Sequence, residues 1–188
     1  MCTSYEAPGQ MEFEAFSLFP KPSFEYRREI KDCAAPIFRH IDGQLSTDAA
    51  SFGMVPRERI PPGVKVFDTM NARAETVGQK RSFSGAWNRL QLALIPCHRF
   101  YEPSYETGKP VRWCIGLADD NACAIAGLWR AWDNPDGSQS LSMTMLTVNC
   151  QRRRASVDEA ISQARRREAR RRRPSAIRAR RLTFVPKH

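Results

Sequence analysis

The chain has 188 residues, enough for one domain with a buried core. No stretch approaches the roughly 18 apolar residues that a membrane span requires, and the polar opening MCTSYEAPGQ is not a signal peptide, so a cytoplasmic, reducing setting is expected. The formal net charge is +10, but residues 151–188 hold fourteen Lys/Arg against three Asp/Glu, leaving sixteen against seventeen, or −1, for residues 1–150. The basicity belongs to the tail.

Cys2 stands directly behind Met1, so removal of Met1 would leave a thiol and a free α-amine on one residue. The other cysteines, at 33, 97, 114, 123 and 150, form no C-x-x-C and read as buried free thiols. Pro8, Pro20, Pro22 and Pro36 are expected to break any long element in residues 1–45. Residues 51–62, SFGMVPRERIPP, read as a short strand running into a proline-bounded loop. In residues 77–90, Phe83, Trp87 and Leu90 recur at i, i+4 and i+7, which predicts a helix packed by Trp87 onto a sheet. From Gln91 the pattern turns to strands: QLALIP, VRWCIGLA, ACAIAGLW and SLSMTMLTV, punctuated by Asp119-Asp120-Asn121 and Asn134-Pro135-Asp136-Gly137. In the last run Leu141, Met143, Met145 and Thr147 share a face. Consecutive antiparallel strands in an α+β domain are expected. After Asn149 apolar residues become scarce, and although Ser156 and Glu159 have capping-box spacing, a solvated, partly helical or disordered arm is predicted.

Three further stretches carry chemistry-bearing residues: NARAET at 71–76, IPCHRFYE at 95–102 and AGLW at 126–129. Each alone is weak. A glutamate such as Glu102 beside aromatics is commonly a structural carboxylate, and an arginine such as Arg73 is commonly one half of an ion pair.

Taken together and in this order, MC, NARAET, LIPCHRFYE and AGLW resemble the SOS-response-associated peptidase (SRAP) family, whose domains shield abasic sites in single-stranded DNA. The resemblance spans residues 1 to about 149. It implies an α+β fold of mostly antiparallel strands forming a barrel-like domain with a few helices, followed by a basic C-terminal tail over residues 150–188. It also implies a substrate whose ring-opened deoxyribose exposes an aldehyde. A neutral amine attacks such a carbonyl to give a Schiff base. With a pKa of about 7.7–8.0 against about 10.4 for lysine, the α-amine of Cys2 is neutral roughly a few hundred times more often at pH 7. The thiol, with a pKa of about 8.5, can then close a five-membered thiazolidine.

By the same resemblance, Asn71 orients the sugar and Cys2, and Glu102 moves protons, helped by partial burial among Phe100 and Tyr101. Arg73 is a phosphate clamp, and Lys80 and Arg81 are backbone contacts. Single-stranded DNA bearing abasic sites is the expected partner, with nucleoid association when bound. No membrane, metal or organic cofactor is implied, and a monomer is expected. The family name further implies self-processing that exposes Cys2.

The chain departs from the family in several places. Thr3 and Ser4 stand where many relatives have Gly-Arg. Phe52 and Pro103 stand where tryptophans are common, which predicts weaker stacking on bases. No histidine lies between His98 and His188, so the family's catalytic histidine has no counterpart. The switch to arginine-rich sequence near residue 150 reads as a frameshift that removes the end of the domain and impairs activity. The competing reading is a DNA-binding arm. Two alternatives from other classes are a non-catalytic nucleic-acid-binding protein acting through that tail and an N-terminal-nucleophile amidohydrolase using Cys2.

Overall fold

The computed structural model describes residues 4–31, 33–104 and 108–148. In chain order the elements are β1 (Tyr5–Glu6), a 3-10 turn at Glu12–Phe16, β2 (Glu29–Ile30), β3 (Ala34–Ile41), β4 (Gln44–Phe52) and a 3-10 turn at Arg57–Arg59. Then follow β5 (Asn71–Arg73), α1 (Arg81–Asn88), β6 (Leu92–Cys97), β7 (Arg99–Ser104), β8 (Val111–Gly116), β9 (Cys123–Asp133) and β10 (Gln139–Thr147).

One sheet runs β4-β3-β6-β9-β10-β5, and a further pairing of β10 with β4 closes its first five strands into a barrel. The second sheet, β2-β1-β7-β8, is antiparallel throughout. Most of the barrel is antiparallel too, but β10 lies parallel to both β4 and β5. The expected mostly antiparallel barrel with helical additions is therefore the fold, with α1 as its α-helix among the described residues.

The predicted succession of neighbouring strands needs correction. The LALIPC strand, β6, pairs with β9, three strands further on, while VRWCIG folds back on β7 in the other sheet. Alternation fixes which face of a strand is buried but not which strand lies beside it.

Pro36 does not break the chain as expected. It lies inside β3, opposite Ala49 of β4. Towards β6, β3 makes only the Phe38–Leu94 pair, so the ladder is open where a proline has no N–H to give. The β3–β4 hairpin turns at Asp42 (φ 51°) and Gly43 (φ 85°), where two successive positive φ angles suit Asp-Gly.

The barrel interior is filled by Ala35 and Ile37 of β3, Ala50 and Phe52 of β4, Ala93 and Ile95 of β6, and Met143 and Met145 of β10. Leu141 packs against the same cluster, as its shared face with the two methionines predicts. Tyr5 of β1 plugs this core, its ring 5.4 Å from that of Phe52 and edge-on to it. Phe52 is thus a core residue.

Outside the barrel, α1 lays Phe83, Ala86 and Trp87 over Leu128, Ala72 and Met54. The helix begins at Arg81, later than predicted, because residues 76–80 form a tight turn in which Gln79 N and Lys80 N donate to Thr76 O. A second wall is aromatic: Phe38 stacks on Phe19 at 4.2 Å and meets Phe13 edge-on. Each such pair contributes about 0.5–1.5 kcal/mol beyond the area it buries.

Cys33, Cys97, Cys114 and Cys123 are free thiols, but of these only Cys97 is fully buried. Cys97 and Cys123 face each other across β6 and β9, and the Cys97 side chain draws the Cys123 thiol below its usual range. Cys150 lies outside the described residues.

Asp48 on β4 accepts from Arg39 Nε (2.8 Å) and Ser46 Oγ (2.7 Å), while Arg39 rests 4.4 Å from the Trp129 ring centroid. Burial pushes the Asp48 carboxyl up, but the bonds from Arg39 and Ser46 outweigh it and hold it below the usual carboxylate range. Its contribution to stability is then whole above the unfolded value of about 3.9 and is lost as pH falls through the lower folded value. Thermal unfolding scans of Asp48→Asn should give a lower Tm at neutral pH and a shallower acid limb than the parent chain.

Candidate functional site

Two segments from different sheets carry the residues singled out in the sequence. The first is β5. Its parallel register with β10 sets Asn71 beside Met145, Ala72 beside Leu146 and Arg73 beside Thr147. Asn71 therefore takes the face of β10 that lines the barrel core, and Ala72 takes the opposite face, under α1. Hydrogen bonds at both ends hold this three-residue strand: Met145 N to Met70 O (2.9 Å) and Ala74 N to Thr147 O (2.8 Å). Asn71 is half-buried with its Oδ1 sealed from solvent, and Arg73 is exposed. Lys80 and Arg81, at the start of α1, are also exposed, and neither is ion-paired among the described residues.

The glycine of AGLW explains how these strands approach. Gly127 lies opposite both Ala93 and Met145. A Cβ there would stand 2.6 Å from Ile95 Cδ1 and 2.6 Å from the Thr144 carbonyl oxygen. Any side chain would push β10 outward, and β5 with it.

The second segment is β7 with the N-terminal strand. Glu102 is half-buried opposite Trp113 of β8 and shares its face of β7 with Phe100, which packs on the barrel core. The expectation that Tyr101 helps enclose Glu102 fails, because alternation turns Tyr101 to the other face. There its hydroxyl donates to Glu6 Oε1, and the Arg112 guanidinium covers its ring at 3.8 Å. The bond to Glu6, with burial second, pushes the Tyr101 phenol up.

Arg112 also donates to Ser4 Oγ (3.1 Å) and Glu29 Oε1 (3.2 Å). Ser4 O in turn accepts from Tyr101 N (3.2 Å). The chain is thus fastened at Ser4, against the residue preceding Glu102. Cys2 lies outside the described residues, two positions upstream of this anchor.

Asn71 and Glu102 flank a common support: Met70, next to Asn71, and Phe100, two residues before Glu102, pack against the one core cluster that contains Tyr5. Ser4, Glu6, Arg112 and Trp113 were missed by sequence reasoning. Pairing RFYEPS against VRWCIG would have exposed Trp113, but nothing local announces that Arg112 reaches Ser4 across 108 positions. Among the described residues, no group of three or more His, Cys, Asp or Glu side chains could hold a metal ion. The Cys97-His98 pair does not converge: Cys97 faces Cys123, while His98 Nδ1 lies 3.3 Å from Glu12 Oε1.

A barrel flanked by a small sheet, with Ser4 fastened beside the strand that bears Glu102, is the setting of an SRAP-type domain. A family model described as SOS response associated peptidase (SRAP) matches residues 17–170, and the chain belongs to that family. The abasic site processing protein YoqW of Bacillus subtilis (strain 168) is 35% identical over 96 residues, covering 47% of this chain and 42% of that relative. YobE of the same organism is 33% identical over 96 residues. The matched stretch is thus less than half the length of these relatives. A crystal structure of a protein from Bordetella bronchiseptica superposes with a TM-score of 0.67 at 29% identity, covering 84% of this chain and 77% of that one. One from Bacteroides thetaiotaomicron shares the fold at a TM-score of 0.58 and 15% identity, covering 79% and 68%.

Proposed function

We propose that this protein processes abasic sites by covalent capture in single-stranded DNA through Cys2, after removal of Met1. One observation carries the reading: the N-terminal strand is fastened at Ser4 to the strand that bears Glu102. Cys2 stands two residues before that anchor, a length of chain that spans at most about 7 Å. Membership in the SRAP family and the similarity to abasic site processing proteins support the same substrate class.

The ring-opened deoxyribose offers an aldehyde; the α-amine adds to its carbonyl carbon and water leaves, giving an imine. The Cys2 sulfur then bonds to the imine carbon while its proton passes to the nitrogen, closing the thiazolidine. Glu102 serves as proton carrier for the loss of water, and Asn71, rigid on β5, fixes the sugar. Arg73, Lys80 and Arg81 contact the DNA backbone.

Single-stranded DNA with one abasic site, mixed with the protein and run on a denaturing gel, should give a shifted band. Glu102→Gln and Asn71→Ala should each slow its appearance by about 10²-fold or more. Binding without a covalent band at any pH would instead assign the affinity to the arginine-rich tail, and amide turnover without DNA would indicate an N-terminal-nucleophile amidohydrolase.

A further inference from the structure

The outer wall of the barrel carries a second cationic feature, separate from Asn71 and Glu102. Leu128 of β9 packs under α1, so Arg130 and Trp132, two and four residues on, continue along the same face. The Arg130 guanidinium lies 3.9 Å from the Trp132 ring centroid, and that of Arg59 lies 5.7 Å from it. The ring is fixed, since its Nε1 donates to Ser142 Oγ (2.8 Å), which donates to Met54 O (2.8 Å). Arg59 is fixed too, donating to Asp133 O (3.0 Å) and Asn134 Oδ1. Arg89, just past α1, is held by Gln91 Oε1 at 3.2 and 3.1 Å.

Arg130 differs from these two. Among the described residues its guanidinium makes no hydrogen bond and no ion pair, although the residue is half-buried. Burial, and after it the charge of Arg89, pushes its pKa down, with no carboxylate acting against them. A partly desolvated cation facing another cation is unfavourable until an anion arrives. A guanidinium laid on an aromatic ring keeps its N–H edge open, and that edge matches a phosphate oxygen pair.

We propose that Arg130 and Arg59 on Trp132, together with Arg89 at the end of α1, form a binding site for phosphodiester groups of a nucleic-acid backbone. The identity of the polyanion rests on the proposed function; the site itself does not use Cys2. Arg81 and Arg89 stand at opposite ends of α1, about 12 Å apart at 1.5 Å per residue. A strand that meets Arg81 would be led along the helix to this patch.

The test uses the full chain and an undamaged single-stranded oligonucleotide, with affinity measured by fluorescence anisotropy over a range of salt. Arg130→Gln and Arg89→Gln should each reduce the slope of log K against log salt by about 0.7, and Arg130→Lys should restore most of it. Arg27→Gln, which removes an exposed cation ahead of β2, measures the effect of net charge alone. A loss in Arg130→Gln no larger than in Arg27→Gln overturns the proposal. An unchanged DNA slope with weakened binding of poly-glutamate assigns the patch to an acidic protein and overturns it equally. Thermal unfolding of Arg130→Lys and Arg130→Gln separates lost contact from lost fold. Reduced slopes in a protein that forms no adduct with abasic DNA would keep the patch and remove the capture reading; normal slopes with a normal adduct would do the reverse.

Discussion

Cys2→Ala will leave no denaturation-resistant adduct with abasic single-stranded DNA. The prediction is sharper than simple loss of a nucleophile. Once Met1 is removed, the variant still has a free α-amine, with its pKa of about 7.7–8.0, at the first position. An imine can therefore still form, but no thiol closes on it, and hydrolysis returns the aldehyde. Adduct surviving denaturation should fall by about 10²-fold or more, while borohydride, which reduces the imine to a stable amine, should bring a band back. Cys2→Ser should behave nearly as Cys2→Ala, since a hydroxyl is the poorer nucleophile and gives the more labile ring. Adduct unchanged in Cys2→Ala would place the chemistry on a lysine.

The largest effect on stability is expected at Gly127. Its missing Cβ is the condition for β9 to lie tightly between β6 and β10. One of the two atoms a new Cβ would meet at 2.6 Å, Ile95 Cδ1, ends a flexible side chain, but the other, Thr144 O, is backbone. Relief requires moving β10, whose other neighbours are β4 and β5. Gly127→Ala should cost about 1–3 kcal/mol in urea unfolding, and Gly127→Val more. Because β5 follows β10, the alanine variant should also slow adduct formation under conditions where it remains folded. Gly43→Ala is the contrast: it alters a turn with open space around it and should leave the adduct rate unchanged while costing stability through its positive φ.

Particular elements show what could be read from the chain. The helix around Trp87 was legible because Phe83 and Trp87 keep their shared face in the fold, although Leu90 falls past its end at a φ of 56°, and the face of β10 was legible because period two survives likewise. The β3–β4 hairpin was not, since Pro36 suggested a break and residues 44–51 are mostly polar or small; the Asp42-Gly43 turn was the available signal. The division into two sheets was hidden because strand partners are set by long-range packing. For the site, residue types and order pointed to Asn71, Arg73 and Glu102. The faces did not follow from order alone: Tyr101 turned away from Glu102, and Trp113 and Phe100 took its side. The Arg112–Ser4 bond joins distant positions, and the Arg130 patch required the fold to bring Arg59 to Trp132 and the charge of Arg89 to Arg130.

Intact-mass analysis of the adduct tests the central claim most directly. Wild-type protein incubated with an abasic oligonucleotide should yield one species whose mass is that of the chain lacking Met1 plus the DNA, less one water. Peptide mapping should put the modification on the residue that was Cys2. An adduct that retains Met1, or that maps to a lysine, would contradict the account.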